Sequence, residues 1–124
     1  MTLDKNQTEP LQQRYVRELL RLYLATPGVV GHVRRADRKL AQDLFDHHVP
    51  LHAVATAFMV AAARRIRHNA YSTPMPPIRS LHYFRGPIQE ILERPLGYRE
   101  IQQLRQSLRD HCPTIRKREQ HPID

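Results

Sequence analysis

Residues 51–63 read LHAVATAFMVAAA, and this stretch decides the fold. Apolar side chains fall on almost every face of it at helical spacing, and in a soluble chain such a helix is surrounded by its neighbours. Six alanines, at 53, 55, 57, 61, 62 and 63, let other helices approach closely, while Val54, Phe58 and Val60 supply bulk. The apolar run from Val54 to Ala63, with Thr56 inside it, is well short of the ~20 residues that span a bilayer. A central buried helix is expected, without membrane insertion.

Working outward, His48-Val49-Pro50 is a short break, with Pro50 placed to start the central helix. Upstream, Val33, Ala36, Leu40 and Leu44 mark one stripe of a helix that begins between His32 and Asp37 and ends near His47. Before it, Leu11, Tyr15, Leu19, Leu22 and Tyr23 recur at helical spacing, opened around Thr8 to Pro10 and stopped by Thr26-Pro27-Gly28. Arg14, Arg17 and Arg21 share one side of that first helix.

Downstream, the proline-rich loop 72–77 cannot be helical, because each proline pushes its predecessor out of the α region. Ile78, Leu81, Phe84, Ile88, Ile91 and Leu92 then keep helical phase across Gly86-Pro87, which predicts one kinked helix. Pro95-Leu96-Gly97 ends it, and Tyr98, Ile101, Leu104 and Leu108 form the stripe of a fifth. The expected fold is all-α: a compact bundle of about five helices around the central one, a single domain over residues 1–112, then a flexible basic tail over 113–124. At 124 residues the chain has the length of one such domain.

Charge gives the functional lead. The formal net charge is +8, and arginine outnumbers lysine 17 to 3. A planar guanidinium fork suits phosphate better than a point charge does, although arginine richness by itself speaks only to non-specific binding. Between Asp46 and Glu90 there is no carboxylate, yet Arg64, Arg65, Arg67, Arg79 and Arg85 lie inside that window. Deprived of a local acid, they must find water, carbonyls or an external anion. A second group, Arg34, Arg35 and Arg38 with Lys39, crowds the start of a helix, where the dipole disfavours cations by a few tenths of a kcal/mol each. The competing account of Arg64, Arg65 and Arg67 is that they cap a helix C-terminus, worth about 0.3–1 kcal/mol each.

The second helix, the break and the central helix also have the layout of a helix-turn-helix, with Leu44 and Val54 as the apolar pair that would lock it. The central helix is too apolar to lie in a DNA groove, so base readout by it is not expected. Phe84, Ile88 and Leu92, preceded by the helix-loop segment from Val49 to Pro77, form a pattern that resembles the C-terminal domain of DnaD-like bacterial and phage replication-initiation proteins. That family carries an aromatic-x3-isoleucine-x3-aromatic helix implicated in DNA binding. Here the last aromatic is replaced by Leu92, and Gly86-Pro87 interrupts the run. The resemblance implies a DNA-binding role for this segment, with Tyr83 and Arg85 beside the match.

Other chemistries find little to stand on. Cys112 is the only cysteine, so no intrachain disulfide and no cysteine-built zinc site is possible. His47, His48 and His52 with Asp43 and Asp46 suggest metal ligands, but Pro50 breaks the spacing and no HExxH pattern is present. No nucleophile stands beside a base, no paired carboxylates sit in an apolar setting, and no glycine-rich phosphate loop occurs. Neither an enzyme nor a cofactor is expected. Residues 1–9 are polar and lack a signal-peptide core, so a cytoplasmic location is expected.

The sequence therefore predicts a small nucleic-acid-binding protein, DNA ahead of RNA, with Arg34, Arg35, Arg38, Arg64, Arg65, Arg67, Arg79 and Arg85 on phosphates. Its expected setting is an accessory factor of replication, a mobile element or a defence system. The alternative is a helical module that assembles with itself or a protein partner, since Tyr15, Tyr23, Tyr83, Phe84 and Tyr98 are of the types enriched at interfaces.

Overall fold

The structure is a computed structural model, and it describes residues 9–111. The predicted tail lies outside the described residues. Among the described residues five α-helices form: α1 Leu11–Ala25, α2 Arg35–Asp46, α3 Leu51–Tyr71, α4 Arg85–Glu93 and α5 Tyr98–His111, with a 3-10 turn at Leu81–Phe84 before α4. No helix among the described residues is long and apolar enough to cross a membrane. The all-α bundle read from the sequence is the fold observed.

α3 is its axis. Ala53, Val54, Ala57, Phe58, Ala61 and Ala62 are buried along it, and α1, α4, α5 and the 3-10 turn all pack against it. Alanine at many of the contact positions lets those neighbours approach closely, and the bulk comes from rings. Phe58, Phe84 and Tyr23 meet edge-on or tilted, with centroids 4.7 to 6.4 Å apart, arrangements that add to plain area burial.

The ends of the helices follow from local chemistry. α1 stops where the Thr26 hydroxyl bonds back to the Leu22 carbonyl at 2.8 Å and Gly28 takes a φ of 95°. α2 closes in a Schellman arrangement: His48 N–H donates to Phe45 O and Val49 N–H to Leu44 O. His48 occupies the left-handed position, φ 58°, that glycine usually fills.

Four expectations are corrected. The helix-turn-helix pair does not form as a packed unit: Leu44 and Val54 share the core, but α2 lies chiefly on α1 rather than on α3. α3 runs to Tyr71 and its last turn holds His68, so Arg64, Arg65 and Arg67 lie before the C-terminal turn that the competing account had them cap. The kinked fourth helix is absent, because the helix starts at Arg85 and puts Gly86-Pro87 in its first turn, where a missing N–H costs nothing. Ile78 lies outside it altogether, in an isolated parallel bridge with Val29, its N–H on Gly28 O at 2.8 Å and its carbonyl taking Val30 N–H at 2.9 Å. Finally, Tyr98 is exposed rather than part of the α5 stripe, since it is the helix's first residue and overhangs the bundle.

Candidate nucleic-acid interface

The predicted arginines do not form one surface. Arg64 and Arg65 are neighbours in sequence but a helical step of about 100° apart around α3, and they meet opposite fates. Arg65 is buried, with 7% of its surface exposed. Its guanidinium donates to the Pro76 carbonyl at 2.7 Å, reaches the Tyr83 hydroxyl at 3.4 Å and stands 5.6 Å from the Tyr83 ring centroid. A Cβ on Gly28 would come within 3.0 Å of Arg65 Nε, so glycine makes room for the guanidinium as well as supplying the turn. Arg65 thus ties α3 to the proline-rich loop and is withdrawn from the predicted phosphate site. Of the three partners left open by the acid-free window, it takes the carbonyl.

Arg64 is exposed and paired with Glu90 at 2.8 Å. The carboxylate comes from α4, at the very edge of the acid-free window, so an acid remote in sequence neutralises this arginine in space. That bond holds the Glu90 carboxyl below the usual carboxylate range. Arg67, Arg79, Arg85, Arg34, Arg35 and Arg38 are all exposed, and among the described residues none has an ion-pair partner. Arg14, Arg94 and Arg99 share this condition, so it is not confined to the predicted set. The row on α1 is largely neutralised: Arg17 bonds Glu9 at 2.5 Å and Arg21 pairs with Glu18.

One residue organises much of the rest. Asp37 is 1% exposed, and its two carboxylate oxygens take the backbone N–H groups of Arg34 and Leu81, each at 2.9 Å. The first bond caps the start of α2, as an acid at the third helical position does. The second ties that helix end to the 3-10 turn, 44 residues further along. Consequently the backbone of Arg34 and Arg35 is fixed beside the segment that carries Arg79 and His82. Two groups that are distant in sequence, Arg34, Arg35 and Arg38 on one side and Arg79 on the other, adjoin this junction. Burial, and then the Asp37 charge, push the Tyr23 phenol above its ordinary pKa, with Arg34 opposing them. The Tyr23 hydroxyl is buried and has no hydrogen-bond partner among the described residues.

Arg64 and Arg67 belong to a different feature, a groove of about 620 Å³ between the second half of α3 and α5. Its lining adds Tyr71, Leu96, Glu100 and Gln103, none of them a site residue predicted from the sequence. A signal for Tyr71 does exist, because residues 64, 67 and 71 follow the three-and-four spacing of one helical face. It becomes visible only once α3 is known to run to Tyr71. Asp37 offers no such signal: a lone acid among arginines looks like a surface charge until its partner at residue 81 is known.

Of the residues that carry the DnaD-like pattern, Phe84 and Ile88 are core and Leu92 is exposed. Arg85 opens α4 and Tyr83 receives Arg65. Among the described residues, no three histidine, cysteine or acidic side chains come together as metal ligands would. In comparisons with protein-family models, with curated proteins and with solved structures, nothing matches this chain, and the site is read from its own geometry.

Proposed function

We propose that this chain is a small basic nucleic-acid-binding protein, a DNA-binding accessory factor of replication, of a mobile element or of a defence system. The observation that supports it best is the Asp37 junction. It gathers the backbone of Arg34, Arg35 and Arg79 into one neighbourhood whose arginine side chains are exposed and have no carboxylate partner among the described residues. A net charge of +8 adds a field that draws phosphates toward it. Guanidinium groups on phosphates position a protein without reading bases, so the binding is largely indifferent to sequence.

Fluorescence anisotropy on duplex DNA, single-stranded DNA and RNA across a salt series tests this reading. Log affinity should fall linearly with log salt, and joint reversal of Arg35, Arg38 and Arg79 to glutamate should flatten the slope by about two to three on a duplex. Micromolar or weaker binding to all three at ~50 mM salt would refute it. So would an unchanged slope in a reversed variant that circular dichroism shows to be folded.

A specific feature favours a second reading, a protein-interaction module. Between α1, α3 and α5 lies a groove of about 440 Å³ lined by Leu22, Ala25, Phe58, Met59, Ala62 and Leu108, with Arg105 among its lining residues. Size-exclusion with light scattering in the absence of nucleic acid separates the readings. A salt-resistant oligomer supports the module, whereas a monomer that shifts only with oligonucleotide supports the binder.

A further inference from the structure

The groove between α3 and α5 combines three things that a single strand of nucleic acid needs. Arg64 and Arg67 supply charge on successive turns of α3. Val60, Ala63, Leu96 and Leu104 give an apolar wall, and Gln103 adds an amide able to meet a base edge. Tyr71, the last residue of α3, is 86% exposed, and among the described residues no hydrogen bond or ring contact engages it. Its ring is therefore available for stacking, one turn beyond Arg67. A volume of about 620 Å³ falls within the range of sites that enclose small organic groups.

We infer that this groove takes a single strand of DNA or RNA, with one unpaired base stacked on Tyr71 and the adjoining phosphates on Arg64 and Arg67. The inference rests on the nucleic-acid reading above and narrows it to an unpaired substrate. A duplex keeps its base faces covered by their neighbours, whereas a single strand can turn a base out onto an aromatic ring while its backbone follows cations. The groove also contains acid, and its position is compatible with this. Glu100 directs a carboxylate oxygen to the Gly97 N–H at 3.3 Å, at the start of α5. Glu90 is bonded to Arg64 in an exposed pair, and such pairs contribute little and yield readily to a competing anion.

The chain contains no tryptophan, so Tyr71→Trp introduces a single emitting indole at the proposed stacking position. Labelled oligo-dT and oligo-U of about 12 nucleotides, and a blunt two-stranded duplex of about 12 base pairs with no unpaired base, serve as probes. Single strands should quench the emission of that indole, and Tyr71→Ala should lose roughly ten- to a hundredfold in single-strand affinity. Tyr71→Phe should retain it, and duplex affinity should be unaffected by any of the three substitutions. Equal single-strand binding by wild type and Tyr71→Ala, or quenching by the blunt duplex alone, overturns the stacking site while leaving the nucleic-acid reading intact. Failure of the wild type to bind any probe overturns both. Comparing oligo-dT with oligo-U then assigns the sugar.

Discussion

Arg64 and Arg65 show how much a single helical step decides. The sequence predicts both on phosphate, yet one lies in solvent with Glu90 and the other under the proline-rich loop with Pro76 and Tyr83. Replacing Arg65 with alanine removes its buried side chain with its bonds to Pro76 O and the Tyr83 hydroxyl and should cost about 1–3 kcal/mol, read from a urea midpoint. Arg64→Ala should shift stability by less than about 1 kcal/mol, as loss of an exposed pair does. His48 provides a change of opposite sign. Its left-handed backbone carries a penalty that glycine avoids, so His48→Gly should raise stability by about 1 kcal/mol and the melting temperature with it. Tyr15 governs the alkaline side. Its hydroxyl donates to Val49 O at 2.8 Å, and burial pushes its pKa from 10.0 up to about 12. The folded protein holds this proton more tightly than the unfolded chain, so the contribution is complete below pH 10 and disappears as pH rises from 10 through 12. Melting temperatures at pH 8, 10 and 11 should fall in that order, and Tyr15→Phe should remove part of the fall, Tyr23 retaining the remainder.

Among the elements, those with a strong apolar rhythm are legible in the sequence. Leu11 to Tyr23 and Leu51 to Ala63 each present a face, or a whole circumference, that only a helix can bury. The fourth helix is not, because a spacing of three fits more than one backbone. Ile78, Leu81 and Phe84 are all buried, yet the first lies in an extended bridge and the other two in a 3-10 turn. Burial, not helicity, is what their spacing records. Asp37 is the hinge between elements, and asparagine there keeps the shape but leaves one oxygen to accept two N–H groups. Asp37→Asn should therefore cost about 1–3 kcal/mol, and the amide of Leu81 should lose protection from hydrogen exchange measured by NMR. Unchanged protection would show that the carboxylate does not hold the 3-10 turn to α2.

For the whole molecule, the sequence reveals the surplus of positive charge but not its distribution. The gap in acids between Asp46 and Glu90 is a distance along the chain, and folding brings Glu90 onto Arg64 across it. The same folding joins Arg34 and Arg35 to the segment of Arg79 through one carboxylate, a contact that no local pattern encodes. A charge of +8 spread over so small a body repels itself. Added salt should screen that repulsion, so raising sodium chloride from ~20 to ~200 mM should lift the melting temperature by a few degrees. A fall instead would mean that the surface ion pairs outweigh the repulsion.

The bond from Asp37 to Leu81 also has a kinetic meaning. The carboxylate is satisfied only once Arg34 and Leu81, on opposite sides of the central helix in sequence, have come together, a closure that the Val29–Ile78 bridge and the Tyr23–Phe84 contact also require. Loss of a contact that forms after the folding barrier is felt mainly in the rate of escape from the native state, so Asp37→Asn should unfold faster in stopped flow with its refolding rate little changed. That outcome would make Asp37 a latch that sets how long the molecule stays closed, and a slowed refolding limb would place the bond inside the folding nucleus instead.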